Sequence, residues 1–238
     1  MQENVVFIKK YGSEQLGSVN ENEVWRYAGY FGKTGNIDSE LKKTLSQVEK
    51  DLINCLSYRV CYRRMPISWE EELPVLPFPC KSKKLAGFIK GSDEVIIFAA
   101  TIGLEIDRYI ARNQKISPSK ALIVQAYGAE RIEELCECFC AEIKEELKNE
   151  NLCTTKRFSP GYGDLPLETQ LDIFKLLDCS RQIGVSLNES LLMSPSKSVT
   201  AIFGIKKQET DKVENICKAD KCLDCSKSDC GFRRQQSK

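Results

Sequence analysis

Across residues 38–56 the apolar positions are Leu41, Leu45, Val48, Leu52 and Ile53, spacings of three and four that gather them on one side of a helix. An Asp or Ser at its start supplies the cap, and the first element of the chain is predicted to be this helix. Residues 58–67 are rich in β-branched and aromatic side chains, and residues 94–101 form a nearly unbroken apolar run. Both read as strands, the second buried on both faces. Pro74, Pro77 and Pro79 mark the loop between them. Thr101 is predicted to cap a short helix running from residue 103 or 104 to about residue 113, and Ser117-Pro118 opens a long one reaching about residue 149.

A Pro/Gly loop at residues 157–164 precedes a helix with Leu167, Leu171, Phe174 and Leu177 on one face, with Asp164 as its expected N-cap. Residues 183–187 and 198–205 read as two further strands, separated by a turn at Met193-Ser194-Pro195. Strands and helices mix without regular alternation, which favours an α+β layered domain over a doubly wound parallel sheet. Beyond Ile205 the composition turns to Lys, Asp, Ser and Cys. The expected division is therefore a folded domain over 1–205 and a Cys-rich tail over 206–238.

Composition removes whole classes of chemistry. The 238 residues include no histidine, so a Ser-His-Asp triad, a Cys-His protease and every mixed Cys/His zinc module are excluded. Lys plus Arg number 35 against 34 Asp plus Glu, which leaves no global field to hold nucleic acid or an anionic membrane. The longest apolar run is too short to span a bilayer and the first residues carry charges unlike a signal peptide, so the expected location is the cytoplasm. Twelve cysteines in such a chain are expected as core thiols or metal ligands rather than a disulfide scaffold.

Four of them, Cys217, Cys222, Cys225 and Cys230, are spaced C-x4-C-x2-C-x4-C, a set that can wrap one ion or cluster. The spacing leans toward an iron–sulfur cluster, with zinc the alternative. Cys136, Cys138 and Cys140 alternate on the long helix and cannot converge on one metal; they are expected to pack, as are Cys55, Cys61, Cys80, Cys153 and Cys179.

On the same helix Ile132, Leu135, Phe139, Ile143 and Leu147 define the apolar face, and Glu130, Glu134 and Glu137 fall on the side expected to be solvated. Glu133 belongs to neither set. Its helical neighbours Ala126, Ala129, Cys136 and Cys140 are small, so it reads either as an ion-paired boundary residue or as an acceptor for a ligand ammonium or hydroxyl. The loop Arg157-Phe158-Ser159-Pro160-Gly161-Tyr162-Gly163-Asp164 combines a planar cation suited to a carboxylate, glycines that admit close backbone approach, and an aromatic edge.

That loop, the helix after it, Leu187-Asn188-Glu189-Ser190, and Met193-Ser194-Pro195 with Ser198-Val199 together resemble the S-adenosylmethionine-binding activation domain of cobalamin-dependent methionine synthase. The resemblance is clearest over 157–205, extends upstream through Ala99-Ala100-Thr101-Ile102-Gly103 and the long helix, and fades before residue 90. It implies a C-shaped α+β domain with a central antiparallel sheet and packed helices, which presents S-adenosylmethionine to a corrinoid whose cobalt has oxidised to Co(II). By the resemblance Arg157 holds the ligand carboxylate, Tyr162 lies near the methyl donor and corrin, Ser159 and Gly161 add backbone contacts, and Glu133 and Glu189 join the site. A second acid of the family pattern is replaced by Ala129, and the loop continues Gly161-Tyr162-Gly163 where the family often has Gly-Tyr-Pro.

Without histidine the chain cannot supply cobalt's lower imidazole ligand. The reading is therefore a free-standing activator, an accessory subunit rather than a complete enzyme, that works in trans on a corrinoid-carrying methionine synthase protein. An electron donor such as a flavodoxin or ferredoxin, and a relay cluster in the cysteine tail, complete the expectation. The alternatives are an activator of another corrinoid methyltransferase and, from another class, a zinc-tailed RNA- or protein-binding module.

Overall fold

In a computed structural model that describes residues 5–30 and 37–208, the chain forms β1 (Phe7–Tyr11), α1 (Glu21–Tyr27), α2 (Ser39–Leu52), β2 (Tyr58–Pro66), β3 (Ser68–Glu70), β4 (Leu73–Val75), α3 (Lys83–Phe88) and β5 (Glu94–Thr101). There follow α4 (Glu105–Gln114), α5 (Pro118–Lys148), β6 (Leu152–Thr154), α6 (Thr169–Leu177), α7 (Cys179–Ile183), β7 (Ser186–Leu187), β8 (Met193–Ser194) and β9 (Ser198–Lys207). A five-stranded sheet of order β1-β2-β5-β9-β6 is antiparallel at every pairing. The architecture is α+β, as the mixed element order implies.

Helices cover both faces of the sheet. Along β5, Ile96, Phe98 and Ala100 join one core with α1, α2, α4 and α5, while Val95, Ile97 and Ala99 join a second core with α3, α6 and α7. A strand covered on both sides has no polar face, which accounts for its unbroken apolar sequence. Helix α5, about 46 Å long at 1.5 Å per residue, lies on the first face. Its predicted apolar stripe is buried, and Phe139 packs against Tyr62 and Phe98 at ring-centroid distances of 5.1 and 5.0 Å.

Several local expectations are corrected. The first element is a strand, not a helix: β1 pairs with β2 at the sheet edge, and with Phe7 and Ile8 both exposed it has no one-sided pattern to read. The proline loop contains the β3–β4 hairpin. Asp164 does not cap α6, which starts later with no side-chain cap; its carboxylate accepts from the Ser82 hydroxyl and, at 2.9 Å, from the backbone N–H of Lys83 at the start of α3. Thr101 Oγ1 bonds the N–H of Gly103 at 3.1 Å, and α4 starts at Glu105 without a side-chain cap. Residue 183 ends α7, so the strand predicted at 183–187 is reduced to Ser186–Leu187.

Glu130 is also not on a solvated side. It is buried, accepts from the N–H of Asn20 at 2.9 Å, and is forked to Arg131. The N-terminal segment, whose structure was not readable in sequence, covers it. The tail expected from residue 206 begins inside β9, and residues 209–238 lie outside those described.

Candidate ligand-binding site

Arg157 reaches its position through an irregularity in the edge strand. In β6, Thr154 pairs with Ile205, yet Phe158 pairs with Ile202 through two N–H···O bonds of 2.8 Å, so one extra residue is inserted on this side of the ladder. Such a bulge reverses which side chains face which side of a sheet. Phe158 consequently enters the second core, its ring tilted against Phe88 at a centroid distance of 4.8 Å, and Arg157 turns to the opposite face, where α5 lies.

The guanidinium of Arg157 meets two carboxylates one helical turn apart. Nη2 donates to Glu133 Oε2 at 2.9 Å and to Glu137 Oε1 at 2.7 Å. Its side chain is 21% exposed, against 39% for Glu133 and 58% for Glu137. Burial works against the Arg157 charge, but negative charge beside it, that of Glu133 and Glu137 included, outweighs it and raises its pKa above the ordinary arginine value. Cys136 is fully buried, and burial pushes the Cys140 thiol up to about 12. These two pack beside the arginine as neutral thiols, as expected of small core residues.

After Phe158 the chain turns back on itself: Tyr162 N–H donates to Ser159 O at 3.3 Å, Gly161 N–H to Leu165 O at 2.9 Å, and Leu165 N–H to Tyr162 O at 3.1 Å. Gly161 takes φ +84° and Gly163 φ +62°, backbone conformations that favour glycine. Proline, whose ring fixes φ at about −65°, cannot take the Gly163 conformation, so the departure from the family's usual proline fits this loop. The Gly161 N–H is consumed by the turn. Ser159 N–H and the Gly161 carbonyl have no intramolecular partner among the described residues. Tyr162, at the tip, is 69% exposed. Asp164, bonded to the start of α3, fastens the end of the loop to the second layer of helices.

The structure thus brings Arg157 and Glu133 together beside the loop of Ser159, Gly161 and Tyr162. Glu189 is exposed on the separate β7–β8 hairpin, where the Asn188 side chain accepts from the N–H groups of Ser190 and Leu192, both at 2.9 Å. No contact links Glu189 to Arg157 or Glu133 among the described residues. The sequence reading missed Glu137 as a partner of Arg157, although its i,i+4 spacing from Glu133 carried the signal. It also missed Tyr27 on α1, whose phenol pKa is raised by burial and by the charge of Glu133.

The iron–sulfur or zinc expectation is withdrawn. Among the described residues no group of three or more Cys, Asp and Glu could hold a metal ion. The cysteines of α5 diverge, Cys136 into the core and Cys138 toward the Gln15 carbonyl, and Cys55 is exposed rather than packed. Cys217, Cys222, Cys225 and Cys230 lie outside the described residues. No described helix is long and apolar enough to cross a membrane.

No curated protein matches the chain. Among solved structures the fold is similar to that of the MetH reactivation domain bound to AdoHcy, with a TM-score of 0.63 and 20% identity, covering 85% of this chain and 79% of that one. The family model of the activation domain of vitamin B12 dependent methionine synthase matches residues 81–227, starting upstream of the residues that carry the resemblance in sequence and running past residue 206. A match over more than half the chain, with the same fold beneath it, supports an accessory domain and displaces the RNA- or protein-binding module: the chain belongs to the activation-domain family of vitamin B12 dependent methionine synthase.

Proposed function

We propose that this domain binds S-adenosylmethionine at the Arg157–Glu133 pair and supports reductive remethylation of cob(II)alamin on a corrinoid-carrying methionine synthase partner acting in trans. The observation that carries the ligand assignment is the juxtaposition of one cation and one carboxylate at 2.9 Å, next to a glycine turn with unpaired backbone groups. An α-amino acid is a zwitterion, so Arg157 takes its carboxylate as a charge-assisted pair and Glu133 its ammonium. The Ser159 N–H and Gly161 carbonyl supply further polar contacts, and exposed Tyr162 marks where the ligand meets the corrinoid partner.

When bound, S-adenosylmethionine supplies the methyl group and an external donor, such as a flavodoxin or ferredoxin, supplies one electron; the products are methylcobalamin and S-adenosylhomocysteine. No proton moves in that balance, so the chain needs no acid or base catalyst. Its residues act by holding the amino acid end fixed and by excluding water around the sulfonium. A chain without histidine is adequate for this.

Calorimetric titration of S-adenosylmethionine and S-adenosylhomocysteine into the full chain tests the ligand assignment. Loss of a charge-assisted bond worth about 1.5–3 kcal/mol predicts that Arg157→Ala weakens both ligands roughly 10- to 150-fold. No binding by the wild type, or equal binding by Arg157→Ala, overturns it.

A further inference from the structure

The pairing of Arg157 with two glutamates restricts how a carboxylate can enter. A guanidinium offers a carboxylate two forks, Nε with Nη2 and Nη1 with Nη2. Both use Nη2. In this structure the two Nη2 protons are directed to Glu133 Oε2 and Glu137 Oε1, whereas Nε and Nη1 make no hydrogen bond among the described residues. A two-pronged carboxylate therefore docks on Arg157 only if one of the two glutamates lets go.

The two are not equivalent. Glu137 is 58% exposed and Glu133 39%, so Glu137 loses less by returning to water. Glu133 is also the acid that the bound ammonium needs nearby. Glu137 serves no such second purpose, and its Oε1 occupies, on one shared nitrogen, the position of a carboxylate oxygen.

We propose that Glu137 is an internal stand-in for the ligand carboxylate, a latch on Arg157 that must open for an adenosyl amino acid to bind and that sets the site's affinity for that carboxylate. This rests on the assignment of Arg157 to the ligand carboxylate. Binding is then an exchange of one ion pair for another, and the latch lowers affinity only for ligands that carry the carboxylate. Removing an exposed competing pair, worth about 0.2–1 kcal/mol, corresponds to roughly 1.4- to 5-fold in affinity.

The test is calorimetry with S-adenosylhomocysteine and with 5′-methylthioadenosine, the adenosyl thioether that lacks the amino acid, against wild type, Glu137→Gln and Glu137→Ala. The expected result is tighter S-adenosylhomocysteine binding, about 1.4- to 5-fold, in both variants, with 5′-methylthioadenosine unchanged. A second expected result is a steeper loss of S-adenosylhomocysteine affinity with added salt in the variants, because a new ion pair then forms without an old one breaking. Unchanged or weaker S-adenosylhomocysteine binding overturns the latch, as does an equal gain for both ligands, which would reflect site shape rather than the carboxylate. Wild-type protein that binds neither ligand overturns the ligand assignment itself and the latch with it. Wild type that binds while Glu137→Gln weakens binding overturns the latch alone.

Discussion

Breaking the Glu130–Arg131 pair should be among the most destabilising surface-distant changes available in this fold. The two residues are adjacent on α5, where neighbours diverge by about 100°, yet Arg131 Nε and Nη2 fork onto Glu130 at 2.5 and 2.6 Å. They meet because both reach over the segment before α1: Arg131 donates to the Gly17 and Ser18 carbonyls at 3.1 and 3.4 Å, and Glu130 accepts from Asn20 N–H at 2.9 Å. Their side chains are 3% and 4% exposed, so water cannot replace a lost partner. Glu130→Gln leaves Arg131 charged and uncompensated in the core, at a cost of about 3–5 kcal/mol. At about 2–4 °C per kcal/mol for a chain of this size, the melting temperature falls by roughly 6–20 °C.

Replacing both residues, Glu130→Leu with Arg131→Met, removes the stranded charge and should cost clearly less than the two single changes added together. Urea unfolding followed by fluorescence reads this out, because Trp25 on α1 is buried in the same core. A loss below about 1 kcal/mol for Glu130→Gln, or additive single and double variants, would refute the reasoning that the pair is insulated and clamps the N-terminal segment.

Other expectations concern packing and titration. A Cβ on Gly204 of β9 would come within 2.9 Å of Ser92 Cβ and 3.1 Å of Ile89 Cβ, so Gly204→Ala should lower unfolding free energy by about 1–3 kcal/mol, and Ser92→Gly in the same chain should restore part of it. Ser92 Oγ is buried without a partner among the described residues, so Ser92→Ala alone should raise stability by about 1 kcal/mol in urea titration. Burial lifts Cys140 from 9.0 to about 12 and Tyr58 from 10.0 to about 12. Groups raised in this way contribute stability that is fully present below the unfolded value and is lost as pH rises through the folded one, so unfolding free energy should fall between about pH 9 and pH 12; a flat profile there contradicts it. In native protein at pH 8, iodoacetamide should label exposed Cys55 well before buried Cys61, Cys136 and Cys179.

What the sequence revealed follows from how strongly each element is patterned. The run in β5 and the stripe of Ile132, Leu135, Phe139, Ile143 and Leu147 identify their elements, because burial on two faces or on one stripe leaves a period in the residues themselves. Arg157 and Glu133 stood out as a cation before a glycine turn and a carboxylate among small residues. That they touch depends on the inserted residue between Thr154 and Phe158, which no local pattern announces, since strict alternation would have sent Arg157 to the other face. The burial of Glu130 and the role of Asp164 were illegible for a related reason. Each is decided by a distant partner, the segment before α1 in one case and the start of α3 in the other. Nothing in the local sequence of either carboxylate records that partner.

Methyl transfer itself is the most direct readout of the proposed activity. Full chain, methyl-labelled S-adenosylmethionine and a one-electron donor would be combined anaerobically with the cob(II)alamin-loaded corrinoid domain of a methionine synthase, and labelled methylcobalamin measured against time. Label transfer should depend on this chain, release one S-adenosylhomocysteine per methyl group, and be sharply reduced by Arg157→Ala. Methylation at the same rate without the chain, or undiminished by Arg157→Ala, would contradict that activity.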